Sequence, residues 1–255
     1  MSRVSIIGGG NVANAFGRRL HERGVEIVQL YSRDRKVGEE LAEELEAIYI
    51  DSLDKIEPKV DVIILAVSDD ALSEVAKELP STEALVMHCS GSTPLSVLPQ
   101  KNRAVIWPLR SIAKGQKMTW DDINMVLEAD SDIASVRAME LIERFGSKPV
   151  KMDSKERRTA HLVAVILNNF SNHLLHIADV LCMEQGMDRR IFQDLMEHTL
   201  EYSGPAIDSQ TGPAAREDLK VLDRQMKLLK KHPHFQKVYE SVSTSIIIEK
   251  NDKEL

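Results

Sequence analysis

A short glycine run near the N-terminus constrains this chain most. Val4-Ser5-Ile6-Ile7 is an apolar strand within Arg3–Ile7, and it runs straight into Gly8-Gly9-Gly10. A helix follows from Asn11 to Arg23, with Val12, Phe16 and Leu20 on one face and Gly24 at its stop. Gly8-Gly9-Gly10-Asn11-Val12-Ala13 fits the pattern G-x-G-x-x-A. The first glycine permits a tight turn, the second lets a pyrophosphate approach the backbone, and the alanine keeps helix and strand close. The opening of the helix offers unpaired N–H groups and the positive end of its dipole to phosphate. A strand before the turn and an amphipathic helix after it make this a dinucleotide-binding turn rather than a glycine-rich loop.

The alternation continues. Strands are expected at Val25–Tyr31, Ala47–Ile50, Val60–Val67, Ala84–His88 and Ala104–Ile106, with helices at Asp34–Leu45 and Asp70–Leu79. Val60–Val67 is almost wholly apolar, as a parallel strand covered on both faces should be. Asn124–Ala129, Ser131–Phe145 and Lys148–Met152 read as an extra strand–helix–strand unit at the sheet edge. No strand pattern follows. Helices are expected at Asp153–Gln185, Asp188–Tyr202, Pro213–Lys231 and Pro233–Lys250, with a Ser/Gly/Pro-rich loop before the third. The fold class is therefore α/β: a doubly wound, mainly parallel Rossmann sheet over residues 1–152, followed by an all-α domain over 153–255.

The tip of the second strand selects the cofactor. An NAD site usually places an acid there for the ribose 2′-hydroxyl. This strand ends Leu30-Tyr31-Ser32-Arg33, and Asp34 caps the next helix instead. Arg33 offers a forked contact to a 2′-phosphate and Ser32 a hydroxyl, which favours NADP. Ligands lie beyond the carboxyl ends of parallel strands, so Val67, Ser68 and Asp69 should pass the ribose side, and Ser90 the nicotinamide. Ser68 and Asp69 serve equally well as helix caps. His88 is either a proton donor or a core histidine satisfied by backbone.

A net charge of −7 argues against nucleic acid or an acidic membrane surface as partner. Cys89 and Cys182 are two isolated thiols, which suits a reducing cytoplasm better than a disulfide framework. Neither a signal peptide nor a segment of membrane-spanning length is evident, and a cytoplasmic location is expected.

Several stretches together carry a family resemblance. They are the glycine turn, Ser68-Asp69-Asp70, His88-Cys89-Ser90-Gly91, Trp107-Pro108-Leu109-Arg110-Ser111, His161 with Asn168-Asn169-Phe170, and Gln210-Thr211-Gly212-Pro213-Ala214-Ala215-Arg216-Glu217-Asp218. The chain resembles NADP oxidoreductases in which a Rossmann-like domain precedes an all-helical domain of unknown function. Those are distantly similar to pyrroline-5-carboxylate reductase and to 6-phosphogluconate dehydrogenase-like β-hydroxyacid dehydrogenases. The resemblance implies the fold and the cofactor, and no particular substrate. Two departures stand out. Many relatives carry a histidine where this chain has Trp107. The hydroxyacid dehydrogenases use a lysine one turn before an asparagine on the long helix, where this chain has Ala164 and Val165.

His161, Asn168 and Asn172 stand seven and four residues apart and share a helix face. Leu162–Leu167 is continuously apolar, so burial is expected there. His161, Asn168 and Asn169 then either face substrate or bind backbone. Thr211 or Gly212 is the expected N-cap of a helix with Pro213 in its first turn, and Arg216 would clamp a carboxylate there. Leu174, Leu175, Ile177, Leu181 and Met183 wrap much of the long helix, so a homodimer through the helical domain is expected. The expected activity is hydride transfer between NADP(H) and a small polar carbonyl, hydroxy or imine compound held between the domains, with His161, Asn168, Asn169 and Arg216 orienting it. A non-catalytic NADP(H) sensor or scaffold is the alternative.

Overall fold

Strand β1 (Arg3–Ile7) is central because both of its faces are apolar: Val4, Ile6 and Ile7 are fully buried. The computed structural model describes residues 3–113, 115, 118–201 and 203–253. The sheet adds β2 (Glu26–Tyr31), β3 (Ile48–Ile50), β4 (Val62–Leu65), β5 (Leu85–His88), β6 (Arg103–Pro108), β7 (Asn124–Ala129) and β8 (Lys148–Lys151). Their order is β3-β2-β1-β4-β5-β6-β7-β8. Pairing is parallel from β3 to β6, antiparallel between β6 and β7, and parallel again between β7 and β8. The last pair is the expected edge unit.

Helices cover both faces, as a doubly wound sheet requires. On one face α1 (Asn11–Glu22), α2 (Arg35–Glu44) and α4 (Asp132–Phe145) pack through Ala13, Phe16, Leu20, Leu41, Ala138 and Phe145 onto Val4, Ile6, Ile64 and Ile106. On the other, α3 (Asp69–Glu78) sets Leu72 and Ala76 against Ile7, Leu65 and Val86. Phe16, Trp120 and Phe145 meet edge-on or tilted, with ring centroids 4.7–5.6 Å apart.

Two compact units divide the chain, Met1–Phe170 and Ser171–Leu255. The strand pattern stops at Lys151, but α5 (Ser154–Ala164) still belongs to the first unit. A full capping box opens α5: Asp153 accepts from the Lys155 and Glu156 amides, and Glu156 accepts from the Asp153 amide. Val165–Phe170 is a π-helical turn, a form that costs hydrogen-bond geometry and often marks functional positions. It leads into α6 (Ser171–Glu184). Then come α7 (Gln193–Glu201), α8 (Leu219–Leu228) and α9 (Pro233–Lys253). The expected end of α7 at Tyr202 lies outside the described residues.

Two expectations are corrected here. Thr211 or Gly212 does not cap a helix running from Pro213. Pro213–Arg216 makes a single turn closed by hydrogen bonds from the Asp218 amide to the Pro213 carbonyl (2.9 Å) and from the Glu217 amide to the Ala214 carbonyl (3.1 Å). Glu217 sits at φ +52, the left-handed conformation that ends a helix, and Asp218 then caps α8 through the Val221 amide. Second, the apolar run Leu162–Leu167 is not buried in the single chain: Leu162 is 57% and Leu167 70% exposed. An apolar run is buried only where something covers it.

His88 closes β5 as a fully buried side chain. The Ser90 amide donates to its Nδ1 (3.2 Å), which leaves the proton on Nε2. Burial, with the nearby Arg157 charge, lowers its pKa from 6.5 to about 4, while the Pro94 carbonyl and Asp69 pull weakly the other way. The unfolded chain therefore binds a proton that the native chain refuses. Stability should fall by about 3 kcal/mol as pH drops from 6.5 toward 4. His88→Asn, which keeps an acceptor for the Ser90 amide, should flatten the unfolding free energy across that window. Phe145→Ala should lower it at neutral pH by about 3–5 kcal/mol, as loss of a buried aromatic ring does; urea titrations check both.

Candidate functional site

The turn after β1 is dictated by what has no side chain. Gly8 adopts φ +135, and a Cβ there would lie 2.2 Å from the Ala66 carbonyl oxygen. A Cβ on Gly9 would meet Ser32 Oγ at 2.7 Å and Val37 at 2.9 Å, so the turn and the β2 tip touch. At Gly10 the situation reverses: nothing lies within 4 Å of the Cβ position. That open space sits at the N-cap of α1, whose first turn has no side-chain cap and no acidic residue. Asn11, Val12 and Ala13 thus present their amides to an anion. Ala13 is fully buried against the sheet.

The β2 tip carries three cations. Arg35 pairs with Glu39 (2.8 Å) and Lys36 with Glu40 (3.9 Å), both along α2. Arg33 is exposed and has no ion pair among the described residues. Asp34 caps α2 through the Val37 amide (3.2 Å), as its position suggests. Ser32 is buried, and its carbonyl accepts from the Tyr49 hydroxyl (3.2 Å). The residues present fit a dinucleotide with a 2′-phosphate: a cradle over Gly10, no carboxylate at the β2 tip, and one uncommitted guanidinium.

Beyond β4, Val67 packs partly against the core, and Ser68 holds the N-cap position of α3 without a capping bond from its hydroxyl. Asp69 instead accepts the Ser92 hydroxyl, tying the β4 end to the loop after β5. In that loop Ser90 Oγ accepts from the Ser92 (3.2 Å) and Thr93 (2.9 Å) amides and donates to Thr93 Oγ1 (3.0 Å). Its hydroxyl proton is committed. Desolvation raises the Cys89 thiol, so Cys89 stays neutral and un-nucleophilic. Past β6, the Ile112 carbonyl accepts from Asn11 Nδ2 (3.3 Å), which brings that loop to the α1 N-terminus.

His161 reaches the same sheet edge. Its ring lies 5.4 Å from Trp107, tilted by 52°, and both crowd Gly91: a Cβ there would come within 2.5 Å of His161 and 2.7 Å of Trp107. Asn168 and Asn169 lie on the π turn, exposed, with Asn168 Nδ2 donating to Asn169 Oδ1 (3.5 Å). Arg216 belongs to the second unit, on the single turn described above, exposed and without an ion pair among the described residues. The structure therefore gathers the turn, the β2 tip, the β4 and β5 ends and His161 along one edge of the first unit. Two residues of that edge escape sequence reasoning, Arg157 and Glu128, joined by a buried ion pair of 2.7 Å. Their faint signal is Glu128 itself, a carboxylate that follows the apolar run Met125–Leu127 in the strand.

Comparison with known proteins agrees with this geometry. Residues 3–90 match the family described as NADP oxidoreductase coenzyme F420-dependent, and residues 123–246 match the domain of unknown function DUF2520. No curated protein sequence matches. A crystal structure of a Bacteroides fragilis protein, named as an NADP oxidoreductase, is 28% identical, covers 96% of this chain and 98% of its own, and superposes with a TM-score of 0.84. A Thermotoga maritima protein is 22% identical over 99% of this chain and 100% of its own, with a TM-score of 0.68. A pyrroline-5-carboxylate reductase from Streptococcus pyogenes shares the fold at 16% identity, over 96% of this chain and 98% of its own, with a TM-score of 0.60. No helix among the described residues is long and apolar enough to cross a membrane. The N-terminal part of the chain is thus similar to the NADP oxidoreductase family and the C-terminal part to the DUF2520 domain, the pairing that its motifs resemble.

Proposed function

We propose that the protein is an NAD(P)-dependent oxidoreductase, that NADP(H) is its cofactor, and that it reduces or oxidises a small polar carbonyl, hydroxy or imine compound. The observation that carries this reading is the open space over Gly10 at a carboxylate-free helix N-terminus, next to an unpaired Arg33. Gly8, Gly10, Asn11, Val12 and Ala13 would hold the diphosphate, and Ser32 and Arg33 the 2′-phosphate. Val67, Ser68, Asp69 and Ser90 line the route toward the nicotinamide end. When bound, the cofactor supplies or takes up a hydride at its nicotinamide ring.

The chain's own groups orient and exclude. Trp107 and His161 close over Gly91 and keep that edge narrow. His161 is the group there best able to hold or move a proton, since the Ser90 hydroxyl is committed to Thr93, Cys89 stays a neutral thiol, and His88 is buried. Asn168 and Asn169 offer amide donors and acceptors, and Arg216 suits a carboxylate on the substrate. Two free cysteines fit a cytoplasmic setting.

A homodimer through the helical domain belongs to the same reading. Among the described residues, the second unit buries only Cys182, Ala214, Leu229 and Phe235 as apolar side chains, while Leu174, Met183, Ile191, Leu195 and Leu200 stand exposed. A second copy would supply the missing core.

Three outcomes test this function. Arg33→Ala should weaken NADPH binding about ten- to hundredfold and leave NADH binding nearly unchanged, as loss of a charge-assisted contact does; equal losses would refute the 2′-phosphate assignment. Light scattering should give twice 28.7 kDa, and a monomer mass refutes the dimer. A panel of imines, keto acids and aldehydes should include one that consumes NADPH; tight binding with no turnover would instead indicate a sensor.

A further inference from the structure

One buried charge sets the loop that follows β5. Arg157, on α5, is 0% exposed and the largest fully buried side chain among the described residues. Its Nη1 donates to the carbonyls of Ser90 (2.9 Å), Gly91 (3.2 Å) and Thr93 (2.7 Å). Its Nη2 and Nε donate to the carboxylate of Glu128 on β7, at 2.7 and 3.2 Å. The other Glu128 oxygen accepts the Ser154 hydroxyl (2.6 Å), and Ser154 Oγ accepts the Leu95 amide (3.2 Å). The loop is thus fastened at both ends to the start of α5.

This fastening decides where the amides go. With three carbonyls drawn to Arg157, the Ser90 amide binds His88, and the Ser92 and Thr93 amides bind Ser90 Oγ. The Gly91 amide has no partner among the described residues. Gly91 itself is buried, and Trp107 and His161 converge on its Cβ position. His161 itself is one helical turn beyond Arg157, so the same anchor fixes the loop and the helix that carries the imidazole. A guanidinium suits the task because its planar fork reaches a carboxylate and several carbonyls at once, and a lysine ammonium does not.

We propose that Arg157 is a positioning residue for the nicotinamide half of the site: by holding the Ser90, Gly91 and Thr93 carbonyls it presents the Gly91 amide and the Trp107–His161 pair to the nicotinamide. This rests on the NADP(H) reading of the Gly8–Ala13 turn. The test compares NADPH with 2′,5′-ADP, which keeps the 2′-phosphate but lacks the nicotinamide half. Calorimetry on the wild type, R157K and S154A, with thermal midpoints recorded alongside, gives the affinities. R157K should weaken NADPH by about tenfold or more and 2′,5′-ADP by no more than about twofold. S154A, a milder release of the same loop, should shift the ratio in the same direction by less, and it decides the matter if R157K does not fold. A merely structural role lowers the midpoint and moves both ligands together; that result, or an unchanged NADPH affinity in folded variants, overturns the proposal. Wild-type protein that binds 2′,5′-ADP keeps the cofactor reading even if Arg157 fails, whereas wild-type protein that binds neither ligand overturns both.

Discussion

The first unit depends on a steric constraint at Gly8. Its amide donates to the Tyr31 carbonyl (2.7 Å), and the Ala66 amide donates to the Ile7 carbonyl (2.8 Å), so the ends of β2, β1 and β4 meet at one point. The Ala66 carbonyl occupies the place of a Cβ, and φ +135 is a conformation that side chains rarely adopt. Gly9 then lies against Ser32, which couples the turn to the β2 tip. The two jobs proposed for this edge, cradling a diphosphate and reading the 2′ position, would therefore rest on one piece of packing. A change at the turn moves both.

That coupling explains how much of the fold was legible. The signals for the sheet are local: apolar strands, glycine stops, and apolar faces such as Phe16 with Leu20. Eight strands and the helices between them follow from such patterns, with ends displaced by a residue or two. The capping of α2 by Asp34 is also local and was readable. Where a local signal had a rival, it failed. Pro213 after Gly212 looks like a helix start, but Glu217 in the left-handed conformation and Asp218 as a stronger cap move the start of α8 to Leu219.

The other half of the site is written at long range. Arg157 reaches Ser90 across 67 residues and Glu128 across 29. No spacing rule connects them, because the contact exists only once β5, β7 and α5 are already assembled. Nor does the sequence suggest that Arg157 is buried, since arginine is rarely hidden without a partner and the partner cannot be identified beforehand. The same holds for Gly91, where two rings from distant segments press on the Cβ position. In the proposed site, phosphate recognition would need only backbone and a glycine pattern, whereas orientation of the nicotinamide half would need side chains from distant segments.

The burial pattern extends this contrast to the whole chain. Both cores of the sheet draw every member from residues before Gly146. The helical unit has helices, caps and turns, yet almost no interior. Apolar runs such as Leu162–Leu167 predict burial correctly only if the covering surface lies in the same chain, and here they stand open. An amphipathic or all-round apolar helix specifies that something must cover it and leaves open which surface does so. The sheet is therefore defined by its own sequence, whereas the apolar run Leu162–Leu167 and the apolar side chains of the helical unit stand largely open in the single chain. If a second copy supplies that surface, the apolar residues that look wasted in one chain are the core of two.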